Sequence, residues 1–178
     1  MSFANPFGQA KDAAAQYVTD LIGRLEGRDP TEVMAGQVAE LRALVAGVPD
    51  EVLETPEAPG KWSAKDVIVH LFDSEVVYGY RMRYIVAQPG GEIAGYDQDR
   101  WVSSLHYHKA PLDLTLQALD VLRRWNLAWI DTLSADERAR WGEHSERGEE
   151  SIDRIIQLLG AHDLVHRDQI ARILKAVG

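Results

Sequence analysis

Two histidines near the end of the sequence have the spacing of metal ligands. His162 and His166 lie four residues apart in the segment GAHDLVHRDQI. On an α-helix, side chains four residues apart project from the same face, so two imidazoles there can bind one ion. The same spacing also occurs when both histidines are ordinary polar surface residues. Because the apolar residues Val165 and Ile170 flank this pair, we expect the histidines near the core, where buried imidazoles need partners such as a metal.

A metal site of this kind needs a third ligand, and only eight residues of the sequence follow Ile170. We therefore expect that ligand upstream. His70, in the segment SAKDVIVHLFDSE, is the best candidate, because it lies within another predicted helix on a mixed apolar and polar stripe that suits a pocket wall. His106 and His108 are the rival ligands, although we interpret them as surface or lid residues. His144 lies in a polar segment before the last predicted helix and could face the pocket, although we favour an ordinary surface position for it.

The composition limits the classes of protein to which the chain can belong. Its 178 residues, 46% hydrophobic and 26% charged, suit one domain with a substantial core. The absence of cysteine excludes disulfides, zinc–thiolate sites and a protein thiol nucleophile. A net charge of −9 without a block of basic residues argues against nucleic-acid binding. No apolar run reaches the roughly 18 residues of a membrane helix, and no signal peptide is recognisable, so we expect a cytoplasmic protein.

Helical periodicity and capping residues predict the elements that hold these histidines. Asp29 before Pro30, Ser63 with Asp66, and Ser151 are predicted to begin three of the helices. Helices are predicted over residues 9–26, 30–46, 64–87, 112–133 and 152–176. Segment 47–62 is predicted to be a loop with at most one short helical turn. Segment 92–109 is irregular and aromatic-rich, which makes it a candidate lid, and segment 141–150 is predicted to be a polar loop. No segment shows the alternation of a β-strand, so we predict an all-α four-helix bundle with an extra N-terminal helix.

Four segments, taken in order, resemble the DinB/YfiT-like superfamily of metal-dependent enzymes. They are APGKWSAKDVIVHLFDSE, YDQDRW, HSERGEESI and HDLVHRDQI. The resemblance covers about residues 30–175 and implies a bundle with up-down-down-up helix order. It also implies a divalent metal, zinc or nickel, held by His70, His162 and His166. We accordingly divide the chain into an N-terminal helical extension, residues 1–28, and a DinB-like metal-binding bundle, residues 29–178.

Several polar residues near the predicted ligands are candidates for supporting roles. Gln169 could be a hydrogen-bonding group behind the ligands, and Asp73 could orient a ligand or a water molecule. Arg81 could bind an acidic substrate, although we favour its pairing with a surface carboxylate. Asp163 and Asp168 are expected to be solvated charges.

Aromatic residues also occur close to the predicted site. Trp62 is interpreted as a core or loop packing residue. Tyr96 and Trp101 either cover the mouth of a pocket or anchor their own loop. Trp125 and Trp129, four residues apart on a predicted helix, indicate a core or dimer contact.

Three neutral imidazoles would leave an ion with its full charge and at least one open coordination position, which is typical of catalytic sites. Such an ion can activate water or polarise a carbonyl, and it can also bind a thiol as thiolate. Some members of the resembling superfamily are transferases that use bacillithiol or mycothiol. We therefore slightly favour S-transfer to a small molecule with a low-molecular-weight thiol as cosubstrate.

The same residues are also compatible with other functions. One alternative is a hydrolase that uses metal-activated water. Another is a non-catalytic metal-stabilised binding bundle, whose signature would be a fourth protein ligand such as Asp73 or His108. A zincin-like protease is disfavoured, because Asp163 stands where that motif has glutamate. The resemblance also implies a possible homodimer, and we expect neither nucleic acid nor a membrane as partner.

Overall fold

The structure, a computed structural model, describes residues 11–178. Within this range the chain forms eight α-helices, one 3-10 turn and three short strands. The helices are α1 (Lys11–Gly23), α2 (Pro30–Val45), α3 (Asp50–Glu54), α4 (Ala64–Ala87), α5 (Gln98–Ser104), α6 (Leu112–Ile130), α7 (Ala135–Arg138) and α8 (Ile152–Val177). The 3-10 turn is Tyr107–Lys109, and the strands are β1 (Glu92–Ile93), β2 (Trp141–His144) and β3 (Gly148–Ser151). The first residues of the helix predicted over 9–26 lie outside the described range.

The four longest helices, α2, α4, α6 and α8, form the predicted four-helix bundle, and the all-α fold class is confirmed. Helix α2 packs on α6 and α8, and α4 packs on the same two helices. Consequently α2 and α4 occupy opposite corners of the bundle, as do α6 and α8. Because a series of helical hairpins would make every consecutive pair neighbours, the connections from α2 to α4 and from α6 to α8 must cross the bundle.

Side-chain caps fix where the bundle helices begin. The carboxylate of Asp29 accepts hydrogen bonds from the first backbone amides of α2. Ser63 and Asp66 form a reciprocal capping box at the start of α4, and the Ser151 hydroxyl accepts from the Arg154 amide of α8 at 3.2 Å. These partners satisfy amide groups that have no acceptor within the helix. The three capped starts predicted from the sequence are confirmed.

A layer of buried polar side chains divides the core of the bundle into two apolar clusters. One cluster contains Leu41, Ile68, Leu71, Leu119 and Ile173, and the other contains Met34, Met82, Ile85, Ile130 and Ile155. We call the residues between them the polar layer: Gln37, His70, Ser74, Glu75, Arg123, Asn126, His162, Asp163 and His166. Apolar packing on both sides holds the backbone of all four helices, so the polar groups in the middle have little freedom to move.

Helix α1 lies outside the square of four helices and packs on α8. Val18 and Leu21 of α1, with Leu25 in the turn that follows it, form an apolar cluster with Leu158 and Leu164 of α8. This third apolar cluster is therefore shared between the N-terminal helix and the bundle. The proposed boundary after residue 28 stays a prediction.

A small sheet and the short helix α5 lie in segments that we predicted to be irregular or loops. Strand β1 pairs in parallel with β2, and β2 pairs antiparallel with β3. Strands of two to four residues are too short to show an alternating pattern in the sequence, so the prediction of no strands was wrong. Gly142 of β2 is a close-approach position, since a Cβ there would lie 2.7 Å from Ile93 Cδ1. This sheet joins the segment after α4 to the segment before α8.

Within residues 11–178, no helix combines the length and the apolar character that crossing a bilayer requires.

Gly160→Ala is expected to destabilise the protein by about 1–3 kcal/mol because of overpacking. Gly160 lies where α8 meets α2, and a Cβ there would be 2.8 Å from Pro30 Cα and 3.0 Å from the Pro30 carbonyl oxygen. Gly36 on α2 is the matched control, because a Cβ there meets no atom within 4 Å, so Gly36→Ala should stabilise by up to about 1 kcal/mol. Urea unfolding measures both changes. Equal effects of the two substitutions would contradict the close approach of α2 and α8.

Candidate metal centre

The three histidines named as ligands converge in the polar layer. His70 comes from α4, whereas His162 and His166 come from successive turns of α8. The Nε2 atom of His162 lies 3.1 Å from Nε2 of His70 and 3.0 Å from Nε2 of His166. Two nitrogens bound to one ion at 2.0–2.1 Å are about 2.9 Å apart at a right angle and about 3.4 Å apart at the tetrahedral angle. The spacing of the three imidazoles therefore fits a single metal ion.

Burial keeps the three imidazoles neutral. Desolvation lowers the pKa of His70 and of His162 well below the ordinary value, and neighbouring histidines add to the effect. Burial also lowers the pKa of His166 to about 4, partly opposed by Gln169. Neutral imidazole is the form that binds a metal. At neutral pH the site can therefore present lone pairs to an ion without first losing protons.

Gln169 fixes the tautomer of one ligand. The His166 Nδ1–H donates a hydrogen bond to Gln169 Oε1 at 2.8 Å, which leaves Nε2 without a proton and free to coordinate. The structure thus places Gln169 directly behind a candidate ligand. His70 Nδ1 and His162 Nδ1 are buried and have no hydrogen-bond partner among the described residues.

One aromatic ring and two hydroxyl groups surround the histidines. The Trp62 ring lies 4.9 Å from the His70 ring and 6.5 Å from the His166 ring, centroid to centroid. Ser74 Oγ lies 3.4 Å from His70 Nε2 and 3.2 Å from the Tyr96 hydroxyl. Burial raises the pKa of Tyr96 to about 12, so this hydroxyl keeps its proton. Trp62 therefore packs on the candidate ligands themselves, a role that the sequence analysis missed.

No fourth protein ligand closes the site within the part of the chain that the structure describes. In that part, His70, His162 and His166 are the one group of three or more potential ligand residues close enough to share an ion. Asp73 instead accepts a 2.5 Å hydrogen bond from the Tyr107 hydroxyl. His106 and His108 are both exposed, as the interpretation of surface or lid residues requires. The arrangement is that of an open site.

The interpretation of Arg81 as the partner of a surface carboxylate is wrong. Arg81 is only 4% exposed. Its guanidinium donates to the Ala94 carbonyl oxygen at 2.5 Å and lies over the rings of Tyr78 and Tyr96. No described carboxylate lies within 4 Å of it. The helical periodicity of α4 did not distinguish this inward position from the surface.

Asp163 is also misplaced by the sequence analysis, which expected a solvated charge. Its carboxylate is fully buried and binds the Arg123 guanidinium through two hydrogen bonds of 2.5 and 3.2 Å. Burial raises the pKa of Asp163 to about 6, opposed by Arg123. This carboxylate is committed to an ion pair, which further disfavours a zincin-like role as general base. Asp168 is exposed and pairs with Arg24, in agreement with the prediction.

His144, for which we favoured a surface position in a loop, is instead buried on β2. It lines a cavity of about 20 Å³ whose wall also includes His162, Arg81 and Arg147. The backbone amide of Glu146 donates to His144 Nδ1 at 3.2 Å, so the ring proton lies on Nε2. That Nε2 is buried and has no hydrogen-bond partner among the described residues.

Acidification from pH 8 to pH 5 should destabilise the native protein by about 2 kcal/mol through His144 alone. Burial, together with the charge of Arg147, lowers the pKa of His144 to about 3 from the ordinary 6.5. Since the unfolded chain takes up the proton first, this contribution is complete above about pH 6.5 and is lost as the pH falls towards 3. Urea unfolding of metal-free protein at both pH values measures it. Between the two pH values, His144→Gln should lose less free energy of unfolding than the unmodified protein. Equal losses in the two proteins would contradict a buried neutral ring.

The charged half of the polar layer was not found from the sequence. Arg123 Nε donates to Glu75 at 2.7 Å, and Asn126 Nδ2 donates to the same carboxylate at 2.7 Å. A second bond from Arg123 reaches the Met34 carbonyl oxygen at 2.9 Å. The only available signal was a set of charged residues at core-facing positions of predicted helices. That signal is ambiguous, because charges on amphipathic helices usually face solvent.

The fold and the site together define a class: a helical bundle with an open three-histidine centre between two of its helices. The family model of the DinB superfamily matches residues 35–170, so the chain belongs to the DinB superfamily. Three relatives are provisionally named metal-dependent hydrolases. The protein from Oceanobacillus iheyensis is 26% identical over 135 residues, 76% of this chain and 78% of its own. Proteins from Geobacillus kaustophilus and Bacillus cereus are 26% and 28% identical, covering 80% and 76% of this chain and 81% and 78% of their own.

A solved structure extends the comparison of the fold. YfiT from Bacillus subtilis, described as a probable metal-dependent hydrolase with an unusual four-helix bundle topology, matches with a TM-score of 0.77 at 20% identity. The match covers 98% of this chain and 97% of YfiT. The shared fold therefore reaches well beyond residues 35–170 and includes part of the N-terminal region that the sequence resemblance left out.

Proposed function

We propose that this protein is a metal-dependent hydrolase of a small molecule, with the ion held by His70, His162 and His166. The observation that carries the proposal is the convergence of three buried, neutral imidazoles with no fourth described protein ligand. Zinc or nickel would suit an all-imidazole set. A bound divalent ion of this kind supplies a lowered pKa for a coordinated water and polarisation of a carbonyl oxygen. The names of the curated relatives support the same class of activity.

The residues around the ion would complete the reaction site. The Trp62 ring packs against one side of the histidines. The Ser74 and Tyr96 hydroxyls form a short chain beginning 3.4 Å from His70 Nε2. These groups can donate hydrogen bonds to an oxygen that gains negative charge during the reaction. Gln169 holds the His166 ring in the orientation that faces the ion.

Thiol-dependent S-transfer, which we slightly favoured from the sequence, would use the same open position. The thiol would have to arrive as a low-molecular-weight cosubstrate, because the chain contains no cysteine. We place hydrolysis first because the relatives carry the hydrolase name. S-transfer stays a prediction. The same holds for the choice between zinc and nickel and for a homodimer.

A panel assay tests the proposal. Zinc- or nickel-loaded protein is mixed with chromogenic esters, anilides and an electrophilic acceptor, each with and without bacillithiol, mycothiol or glutathione. We expect ester or amide cleavage that is independent of thiol, disappears on chelation and returns with the metal. Turnover that requires a thiol would select the transferase instead. Metal binding at full occupancy without turnover of any substrate would favour the non-catalytic binding bundle.

A further inference from the structure

Two hollows of the molecule meet at Arg81. The first is the small cavity of about 20 Å³ beside His162, which has room for one or two water molecules. The second is a groove of about 410 Å³ between α4, β1 and α5. Arg81, Gly95 and Tyr96 line both. The two hollows are therefore adjacent: Arg81 and Tyr96 face the groove on one side and, on the other, the polar cavity beside His162.

The walls of the groove are aromatic and apolar. They include Val77, Tyr80, Tyr84, Ile93 and Trp101. Its volume falls within the roughly 300–1,000 Å³ of small-molecule sites, which are lined mainly by apolar and aromatic side chains with a few polar groups that fix orientation. The groove thus suits the apolar part of a small molecule.

Arg81 supplies a positive charge whose donors are mostly unused. One N–H of its guanidinium is bound to the Ala94 carbonyl oxygen. The charge of Arg81 helps to lower the pKa of Glu150. Both carboxylate oxygens of Glu150, however, accept hydrogen bonds from Arg147, at 2.5 and 2.9 Å. A buried arginine without a carboxylate partner is costly. An anionic ligand would supply that partner.

His144 supplies a second unused donor on the same cavity. Because its Nδ1 accepts from the Glu146 amide, its Nε2 carries the proton, and this buried N–H has no acceptor among the described residues. Two donors of different chemistry, a guanidinium and a neutral imidazole, therefore line one small cavity beside His162. Arg81 and Arg147 on this cavity outnumber its one acid, Glu146, whereas Glu92 lies at the exposed edge of the groove. An acid with an apolar tail would be oriented with its charge inward, away from Glu92.

We propose that Arg81 and His144 bind the carboxylate of a small acid whose apolar part occupies the groove. This inference rests on the proposed function and names the class of substrate for it: a monoanionic molecule with an aromatic or aliphatic group. The charge is recognised by the guanidinium and the imidazole N–H. The metal then remains free to act on a bond of the substrate close to His162.

Calorimetric binding of three probes tests the assignment without any need for turnover. The probes are 3-phenylpropanoate, 3-phenylpropanamide and 3-phenylpropylamine, which share one apolar tail and differ in the charge of the head. We expect the acid to bind at least about tenfold more tightly than the amide, and the amine most weakly, both with and without zinc. In Arg81→Gln, the affinity for the acid should fall to that for the amide, and the zinc content should stay unchanged. Arg124→Gln, the same change at an exposed arginine, should keep the preference.

Further variants keep the test decisive if Arg81→Gln does not fold, which circular dichroism reports. Arg81→Lys retains the charge but not the forked donors and should lose most of the preference. Tyr80→Ser, in the exposed part of the groove, should weaken all three probes by a similar factor. A preference for the acid that survives both Arg81 variants, or that exists only with zinc, would place the carboxylate on the metal and overturn the assignment. If the unmodified protein bound no zinc but still preferred the acid, the proposed function alone would be overturned.

Discussion

His166→Ala is expected to lower the affinity for zinc or nickel by more than about 100-fold, so that purified protein carries only traces of metal. The variant loses one of three convergent Nε2 atoms, and the two that remain, on His70 and His162, are 3.1 Å apart. An ion held by two imidazoles has no protein ligand to replace the third, because the described chain provides no other carboxylate or imidazole at the site. Metal content by mass spectrometry, with titration of metal-free protein, measures the loss.

Two further substitutions should lower the metal affinity less than His166→Ala does. Gln169→Ala removes only the acceptor of the His166 Nδ1–H, so we expect an intermediate loss of about 10–100-fold in metal affinity. His106→Ala removes an exposed histidine of the rival pair and should leave metal affinity unchanged. Full occupancy in His166→Ala, or an equal loss in His106→Ala, would show that the ion is bound elsewhere.

The parts of the site that could be predicted are those set by local geometry. The four-residue spacing of His162 and His166 means a shared face on any helix, and the capped start at Ser63 places His70 within a helix. These two statements need no knowledge of how α4 and α8 pack. The further step, that His70 joins the pair on α8, was a hypothesis from its place on another predicted helix, and the family resemblance then supported it. Tertiary proximity across 92 residues has no local signal of its own.

The parts that could not be predicted depend on which face of a helix is covered. Asp163 and His162 are adjacent on α8, yet His162 faces the metal centre and Asp163 faces Arg123. Both are buried because α8 has neighbours on nearly every side: α1, α2 and α4 all pack against it. An amphipathic pattern assumes one solvated face, so it assigns a charged residue such as Asp163 to solvent. The same assumption failed for Arg81 on α4.

The polar layer therefore has two halves with different roles. One half consists of neutral imidazoles that converge on an open position. The other is an ion cluster in which Arg123 joins α6 to α4 through Glu75 and to α8 through Asp163. Because His162 is next to Asp163 in the chain and His70 is five residues from Glu75, the cluster fixes the relative positions of the two helices that carry the ligands.

Arg123→Leu should destabilise the metal-free protein by about 3–5 kcal/mol. Arg123 is 2% exposed, and its removal leaves two fully buried carboxylates, Glu75 and Asp163, without their cation. Burial acts to lower the pKa of Arg123, but Asp163 and Glu75 raise it above the ordinary value, so the guanidinium keeps its charge in the core. Urea unfolding of metal-free protein at pH 7.5 measures the loss separately from any effect on metal binding.

Arg124→Leu is the matched control, because it makes the same change one residue further along α6. The Arg124 side chain is 69% exposed and pairs with Asp120 on the surface, so its loss should cost about 0–1 kcal/mol. Asp163→Asn combined with Arg123→Leu should cost less than the sum of the two single changes, because one buried charge has been removed along with its partner. Similar losses for Arg123→Leu and Arg124→Leu would mean that Glu75 and Asp163 are not held as buried ions. In that case the ligand helices would be positioned by apolar packing alone.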